Sequence, residues 1–158
     1  LSSHSPVDPM TIALRLLARR EYSRKELQDK LLHAGFDNLQ VHMVLDSLKA
    51  SGYQDDQRYL EMLTRTRLRQ GHGPLRLRQD LQRAGVDVKE QDGMAAAQSV
   101  NWQVQAQAAY RKRFGNTAPE DAREYARRAR FLAGRGFLPE QIRRVLADPG
   151  NNADDFND

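Results

Sequence analysis

Arginine is the residue type here whose numbers and spacing could do chemistry. Seven arginines lie between Arg58 and Arg83, against only Glu61 and Asp80. Arg65, Arg67, Arg69, Arg76, Arg78 and Arg83 make up most of that cluster. In a second cluster Arg123, Arg127 and Arg130 recur at helical spacing, with Arg128 and Arg135 nearby. A guanidinium group grips a phosphate or a carboxylate through two parallel hydrogen bonds. The competing reading is a solvated helix face with local pairs to Glu61, Asp80, Glu120 or Glu124. For the clusters as a whole binding is favoured, because so few acids cannot neutralise them locally. These eleven arginines are the candidate partner- or nucleic-acid-binding residues.

Other chemistries find no footing. His4, His33, His42 and His72 never pair at the spacing of four that puts two metal ligands on one helix face. Gly71-His72-Gly73-Pro74 lacks the insert and the Lys-Ser/Thr ending of a phosphate loop. Asp55-Asp56 reads as a helix cap rather than as paired catalytic carboxylates. No nucleophile elbow is present. The expectation is therefore a non-enzyme with no catalytic residue, no metal and no cofactor. Tyr53, Trp102, Tyr110 and Phe137 could stack on bases, but their places at helix ends and in apolar stripes favour packing between repeats.

Composition sets the outer bounds. The chain has 158 residues, of which 39% are hydrophobic and 7% aromatic, a thin supply for a core. Charged residues reach 29% and mean hydropathy is −0.78, which suits an extended, high-surface shape. A net charge of +4 and a pI near 9.6 favour anionic partners without naming one. The absence of cysteine excludes disulfides, thiolate zinc sites and cysteine nucleophiles. It is compatible with a reducing cytosol. No stretch reaches the length of a membrane span, and the start, LSSHSPVDP, has no apolar signal core. A cytoplasmic protein without membrane contact is expected.

The elements that must position the arginines are helices. Asp8-Pro9 opens the first, with an apolar stripe of Ile12, Ala13, Leu16 and Leu17. Ser23 with Glu26 reads as a capping box for the second, where Leu27, Leu31 and Ala34 line up before Gly35. Asp37 with Gln40 caps a third, with Val41, Val44, Leu45 and Leu48 inward and Gly52 as its stop. Asp55 or Asp56 caps the next helix, which turns Tyr59, Met62, Leu63 and Thr66 to one side. Gly71 and Gly73 permit a sharp stop, and Pro74 starts a helix bearing Leu77, Leu81 and Ala84. The helix after Asp87 is the least convincing, with Val88, Met94 and alanines to pack and Gly93 inside it. Trp102, Ala106, Ala109, Tyr110 and Phe114 form the next stripe. Thr117 with Glu120 reads as a capping box for a helix carrying Ala122, Tyr125, Ala126, Ala129 and Leu132. Pro139 opens a last short helix with Ile142, Val145 and Leu146.

These elements repeat. Gly35, Gly85 and Gly136 recur at spacings of 50 and 51 residues, each between a helix end and an apolar residue. Such a period signals a helical array in which each unit buries its open face on its neighbour. The predicted fold is all-α: nine helices as three tandem three-helix, helix-turn-helix-like repeats in an elongated, curved array. The predicted boundaries are 7–53, 54–98 and 99–147, between a disordered segment 1–6 and a mobile acidic tail 148–158.

The stretch from Gly52 to Gly85 resembles the signature of the RecX family, bacterial regulators of the RecA recombinase. The matching residues are Gly52-Tyr53, Asp55-Asp56, Arg58-Tyr59, Arg67, Gly71, Gly73-Pro74, Arg76, Leu81 and Gly85. Ser23 to Leu27, Lys30-Leu31 and Gly35 look like that family's first repeat. Trp102, Tyr110, Phe114-Gly115, Phe131-Leu132 and Arg135-Gly136-Phe137 look like its third. Gln54 departs from the pattern where an apolar residue is usual, and Asp80 where Glu is usual. The resemblance implies a cytosolic regulator of homologous recombination, DNA repair and the SOS response; a monomer is expected. It would bind RecA, as the filament on DNA, in the filament groove. There it would inhibit strand exchange, ATP hydrolysis and coprotease activity. The alternative is a non-specific DNA-binding protein acting by competition for DNA, since three-helix units also look like helix-turn-helix domains.

Overall fold

Helix caps and glycine stops written into the chain become the ends of real helices. The computed structural model describes residues 7–87 and 100–150, and the regular structure among them is entirely α-helical. Its eight helices are α1 (Pro9–Leu17), α2 (Arg24–His33), α3 (Asn38–Ala50), α4 (Asp56–Arg69), α5 (Pro74–Arg83), α6 (Trp102–Phe114), α7 (Ala122–Gly134) and α8 (Pro139–Ala147). The ninth predicted helix, after Asp87, lies outside the described residues, as do segment 1–6 and the tail from 151. The described residues divide into two compact units. One runs to Met62 and includes Leu81–Asp87; the other takes Leu63–Asp80 and the residues from 100 onward.

In the first unit α1, α2 and α3 close on Ala13, Tyr22, Leu27, Leu31, Val41, Leu45 and Leu48. Each helix is started by its own cap. The Thr11 amide donates to Asp8 Oδ1 at 2.8 Å. Ser23 and Glu26 form the reciprocal capping box, as do Asp37 and Gln40. Asp55 caps α4 by accepting from the amides of Gln57 (2.7 Å) and Arg58 (3.2 Å). Its neighbour Asp56 serves another helix, since its Oδ1 accepts from the Arg24 amide at 2.9 Å, at the start of α2. The same oxygen takes the Gln54 side-chain amide at 2.9 Å. Gln54, polar where an apolar residue was expected, is buried, and it also donates to the Tyr22 carbonyl at 3.3 Å. A buried amide is tolerable because both of these bonds are made.

The second unit closes on Ala106, Tyr110, Leu132, Phe137, Ile142, Val145 and Leu146. From Tyr110 of this cluster an aromatic run continues through Phe114 to Phe131, with centroid separations of 5.2 and 5.3 Å. Gln107 is buried and donates to the Pro149 carbonyl at 2.6 Å, anchoring the chain just past α8.

Three local expectations give way to the structure. α7 starts at Ala122 under an Asp121 cap, whose Oδ1 takes the Glu124 amide at 2.8 Å, not under Thr117. The carbonyl of Thr117 is instead an acceptor for Tyr110 and Arg128, which holds Thr117 outside the helix. Tyr125, assigned to an inward stripe, is 41% exposed, and Tyr53, assigned to packing, is 60% exposed. Trp102 is half-buried at the start of α6, while Tyr110 and Phe137 are buried.

The marker glycines explain the repeat. In the first unit Ser23 Oγ donates to the carbonyl of Ala84, just before Gly85, at 2.6 Å. In the second unit the Gly73 amide donates to the carbonyl of Arg135, just before Gly136, at 2.8 Å. Ser23 and Gly73 hold equivalent places, each directly before the second helix of its repeat. One docking contact is therefore made twice, by a side chain in one case and by the backbone in the other.

Candidate functional site

The candidate arginines separate by what their heads meet. On α4, Arg65 and Arg69 are exposed, and Arg69 donates to the Thr66 hydroxyl at 3.3 Å. Arg67 turns inward and bonds Asp80 at 2.6 Å, and Arg76 reaches the same carboxylate oxygen at 3.3 Å. Asp80, only 10% exposed, is thus shared by two guanidinium groups, and Arg67 also donates to Gln70 at 2.9 Å. Arg78 and Arg83 are exposed residues of α5. On α7, Arg123, Arg127 and Arg130 share an exposed face, with Arg127 loosely facing Glu124 at 3.8 Å.

Arg128 does not belong to that face. It is buried, and its Nη1 donates to the Tyr110 hydroxyl (2.5 Å) and the Thr117 carbonyl (2.6 Å) while Nη2 meets Glu124. Desolvation works against its charged form, yet the bonds to Tyr110 and Glu124 raise its pKa above the ordinary arginine value. Its placement is that of a structural clamp joining α6, the following loop and α7. The physical reason is geometric: a planar fork can satisfy a phenol, a carbonyl and a carboxylate at once. The bond from the backbone amide of Glu120, and then the Arg128 guanidinium, hold the Glu124 carboxyl below its usual range.

The glycine turn between α4 and α5 docks on the end of α7. The Gly73 amide bonds the Arg135 carbonyl, and the Leu75 amide bonds the Gly136 carbonyl at 2.9 Å. A Cβ on Gly73 would sit 2.5 Å from the Gly136 carbonyl carbon, so only a glycine permits this approach. His72, between the two glycines, has a buried Nδ1 without a hydrogen-bond partner among the described residues. Burial first, then the positive charges of Arg76, Arg135 and Arg67, push its pKa below the ordinary histidine value, with Asp80 opposing. Its positive neighbourhood favours the neutral ring.

Beside this turn, in the same unit, lies a cavity of about 380 Å³. Arg69, Lys112, Arg113 and Arg135 line it, and among the described residues no acidic one does. Two of these, Arg69 and Arg135, were among the sequence candidates. Lys112 and Arg113 were not. The signal that could have found them is the last turn of α6, Arg111-Lys112-Arg113, which has no acid within four residues on either side. Among the described residues, no group of three or more His, Cys, Asp or Glu could hold a metal ion, and no helix is long and apolar enough to cross a membrane.

The fold and these surfaces define a class: an all-helical protein of three-helix repeats with arginine-rich faces. Three family models match in tandem: the first three-helix domain of RecX over residues 10–48, the second over 55–90 and the third over 103–146. The regulatory protein RecX of Acidithiobacillus ferrooxidans is 68% identical over 139 residues, covering 88% of this chain and 89% of its own. That of Halorhodospira halophila is 43% identical over 135 residues, covering 85% and 84%. The chain belongs to the RecX family, a family of regulatory proteins. The crystal structure of RecX from Lactobacillus salivarius matches with a TM-score of 0.69 at 19% identity, covering 88% of this chain and 92% of that one. A second RecX crystal structure matches at 0.72, also at 19% identity, covering 88% and 70%; both speak to the fold.

Proposed function

We propose that this chain is a negative regulator of the RecA recombinase. It binds RecA as the filament on DNA, within the filament groove, and inhibits strand exchange, ATP hydrolysis and coprotease activity. In the cytoplasm it would thereby restrain recombination, DNA repair and the SOS response. Family membership across three tandem domains is the observation that carries this reading. The side chains agree with it. Arg65, Arg69, Arg123, Arg127 and Arg130 are exposed, which suits them to meet carboxylates of a protein or phosphates of DNA. Repeated domains add weak contacts through multivalency, which suits a partner that is itself a repeating polymer.

The exposed arginines also favour a second reading, direct and non-specific DNA binding that competes with the recombinase. Affinity of that kind comes from phosphate contacts and falls steeply with salt. One experiment separates the two: the DNA-dependent ATPase of RecA, titrated with this protein, beside binding of the protein to bare single-stranded DNA at the same salt. Inhibition well below the concentration that coats the DNA supports direct contact with RecA. Inhibition only at DNA saturation supports competition and removes the proposed mechanism.

A further inference from the structure

We propose that the cavity bounded by the end of α4, α6 and α7 is a binding site for a nucleotide, a phosphate-bearing ligand with an attached flat base. Arg69, Lys112, Arg113 and Arg135 converge on one concavity, and among the described residues no carboxylate lines its wall. Among the described residues none of the four forms an ion pair, although Asp80 and Glu124 in the same unit are each engaged by two arginines. Four like charges around one hollow repel each other, and low-dielectric walls concentrate their field. A ligand carrying two or more negative charges relieves that repulsion; a single carboxylate does so only in part.

The arginines are also held in place. The Arg113 and Arg135 guanidinium carbons lie 5.7 and 5.2 Å from the centroid of the Phe131 ring, within cation–π range. Arg135 is further fixed by donating to the Gln70 carbonyl at 3.1 Å. Positioned forks of this kind suit phosphate oxygens, which accept paired N–H bonds.

The rest of the cavity is not built for phosphate alone. Leu68, Ala108 and Ala109 supply an apolar surface beside the cations. The two alanines are small, so a flat ring can approach the α6 backbone closely. Gln105 adds an amide whose side chain has no partner among the described residues, a donor and an acceptor suited to a base edge. The volume, about 380 Å³, falls in the range of small-ligand sites. A carboxylate side chain of a protein partner would neutralise one fork and leave the apolar surface wet. A nucleotide covers both, and it could come from a free nucleotide or from one residue of a single strand.

The test is calorimetric titration of the intact protein with ADP and with oligothymidylate, against inorganic tripolyphosphate and a polyglutamate peptide at the same salt. At least one base-bearing probe should bind about tenfold or more tightly than tripolyphosphate, because base stacking adds to charge. Arg113→Glu should weaken that binding about tenfold or more by reversing a charge. Ala108→Trp should weaken it while leaving every cation in place, and circular dichroism checks the helicity of both variants. ADP binding alone assigns the site to free nucleotides; oligothymidylate binding alone assigns it to a strand. Binding of tripolyphosphate or polyglutamate as tight as that of both base-bearing probes would overturn the proposal. So would no binding of either base-bearing probe, or an affinity unmoved by Ala108→Trp. No recombinase enters this experiment, so its outcome is independent of the regulatory reading.

Discussion

Gly73 and Gly136 meet backbone to backbone, and neither could carry a side chain where it stands. A Cβ on Gly73 would lie 2.5 Å from both the carbon and the oxygen of the Gly136 carbonyl. A Cβ on Gly136, whose φ is +93°, would lie 2.6 Å from Arg76 Cβ and from the Arg76 amide. The two residues are 63 positions apart; Gly73 is small because of Gly136, and Gly136 because of Arg76. The turn at Gly71-His72-Gly73-Pro74, which tempts a phosphate-loop reading, is thus a docking device.

Gly73→Ala is therefore expected to destabilise the protein by about 1–3 kcal/mol, the usual cost of forcing atoms into a packed contact. Chemical denaturation measures it. Gly134→Ala serves as the control, because it lies in α7 with nothing within 4 Å of its added Cβ. That change should be neutral or stabilising, by up to about 1 kcal/mol, since alanine is the better helix former. Equal losses for the two variants would mean that Gly73 matters only for its turn.

The equivalent contact in the first unit depends on a side chain. Ser23 Oγ accepts from the Glu26 amide at 3.1 Å and donates to the Ala84 carbonyl at 2.6 Å. Ser23→Ala removes both bonds, and the expected loss is about 1–3 kcal/mol, a lost cap plus an unsatisfied buried carbonyl. Ser23→Gly would restore part of the cap but not the bond to Ala84. Recovery of full stability in Ser23→Gly would show that the docking bond contributes nothing.

Arg128 and Arg127 are neighbours with opposite roles. Arg128→Ala leaves the Thr117 carbonyl and Tyr110 hydroxyl with fewer partners and should lower stability by about 1–3 kcal/mol. Arg127→Ala, whose side chain is 62% exposed, should stay within about 0.5 kcal/mol of the parent. Thermal melts of the two variants decide the matter, and similar shifts would contradict the clamp assigned to Arg128.

Two groups give stability a pH dependence with a defined sign. His72 has a folded pKa below its ordinary value, so the fold prefers the neutral ring. The stability this holds is present above the unfolded value, about 6.5, and is lost as pH falls from there through the folded value. Glu124, also depressed, behaves alike in a lower window: its contribution is lost as pH falls through its folded pKa. His72→Gln should flatten the upper window of a stability–pH profile and leave the lower one. A profile unchanged by that substitution would remove His72 as a source of the upper window.

Reversing Arg127 and Arg130 to Glu tests the exposed face of α7. Filament affinity should fall about tenfold or more through lost electrostatic attraction, with helicity by circular dichroism unchanged. Inhibition of RecA retained at the parent's concentrations would exclude this face from the contact.

What the sequence by itself determined here is local. Asp8, Ser23, Asp37 and Asp55 cap the helices they precede, because a cap and its amides lie within three residues of each other. The stripes of α2 and α3 bury Leu27, Leu31, Val41, Leu45 and Leu48, because helical periodicity alone puts them on one side. The repeat of Gly35, Gly85 and Gly136 was legible for the same reason: a pattern of residue types needs no coordinates. Tertiary structure alone decided what joins distant positions. Asp56 caps a helix that begins 32 residues earlier. Arg128, flanked by the exposed Arg127 and Arg130, bonds inward to a tyrosine 18 residues away. Arg69, Lys112, Arg113 and Arg135 share a cavity although no spacing links them. Periodicity reports which side of a helix a residue occupies, but what that side faces depends on packing between elements, and the free energy of that packing is not written in any one of them.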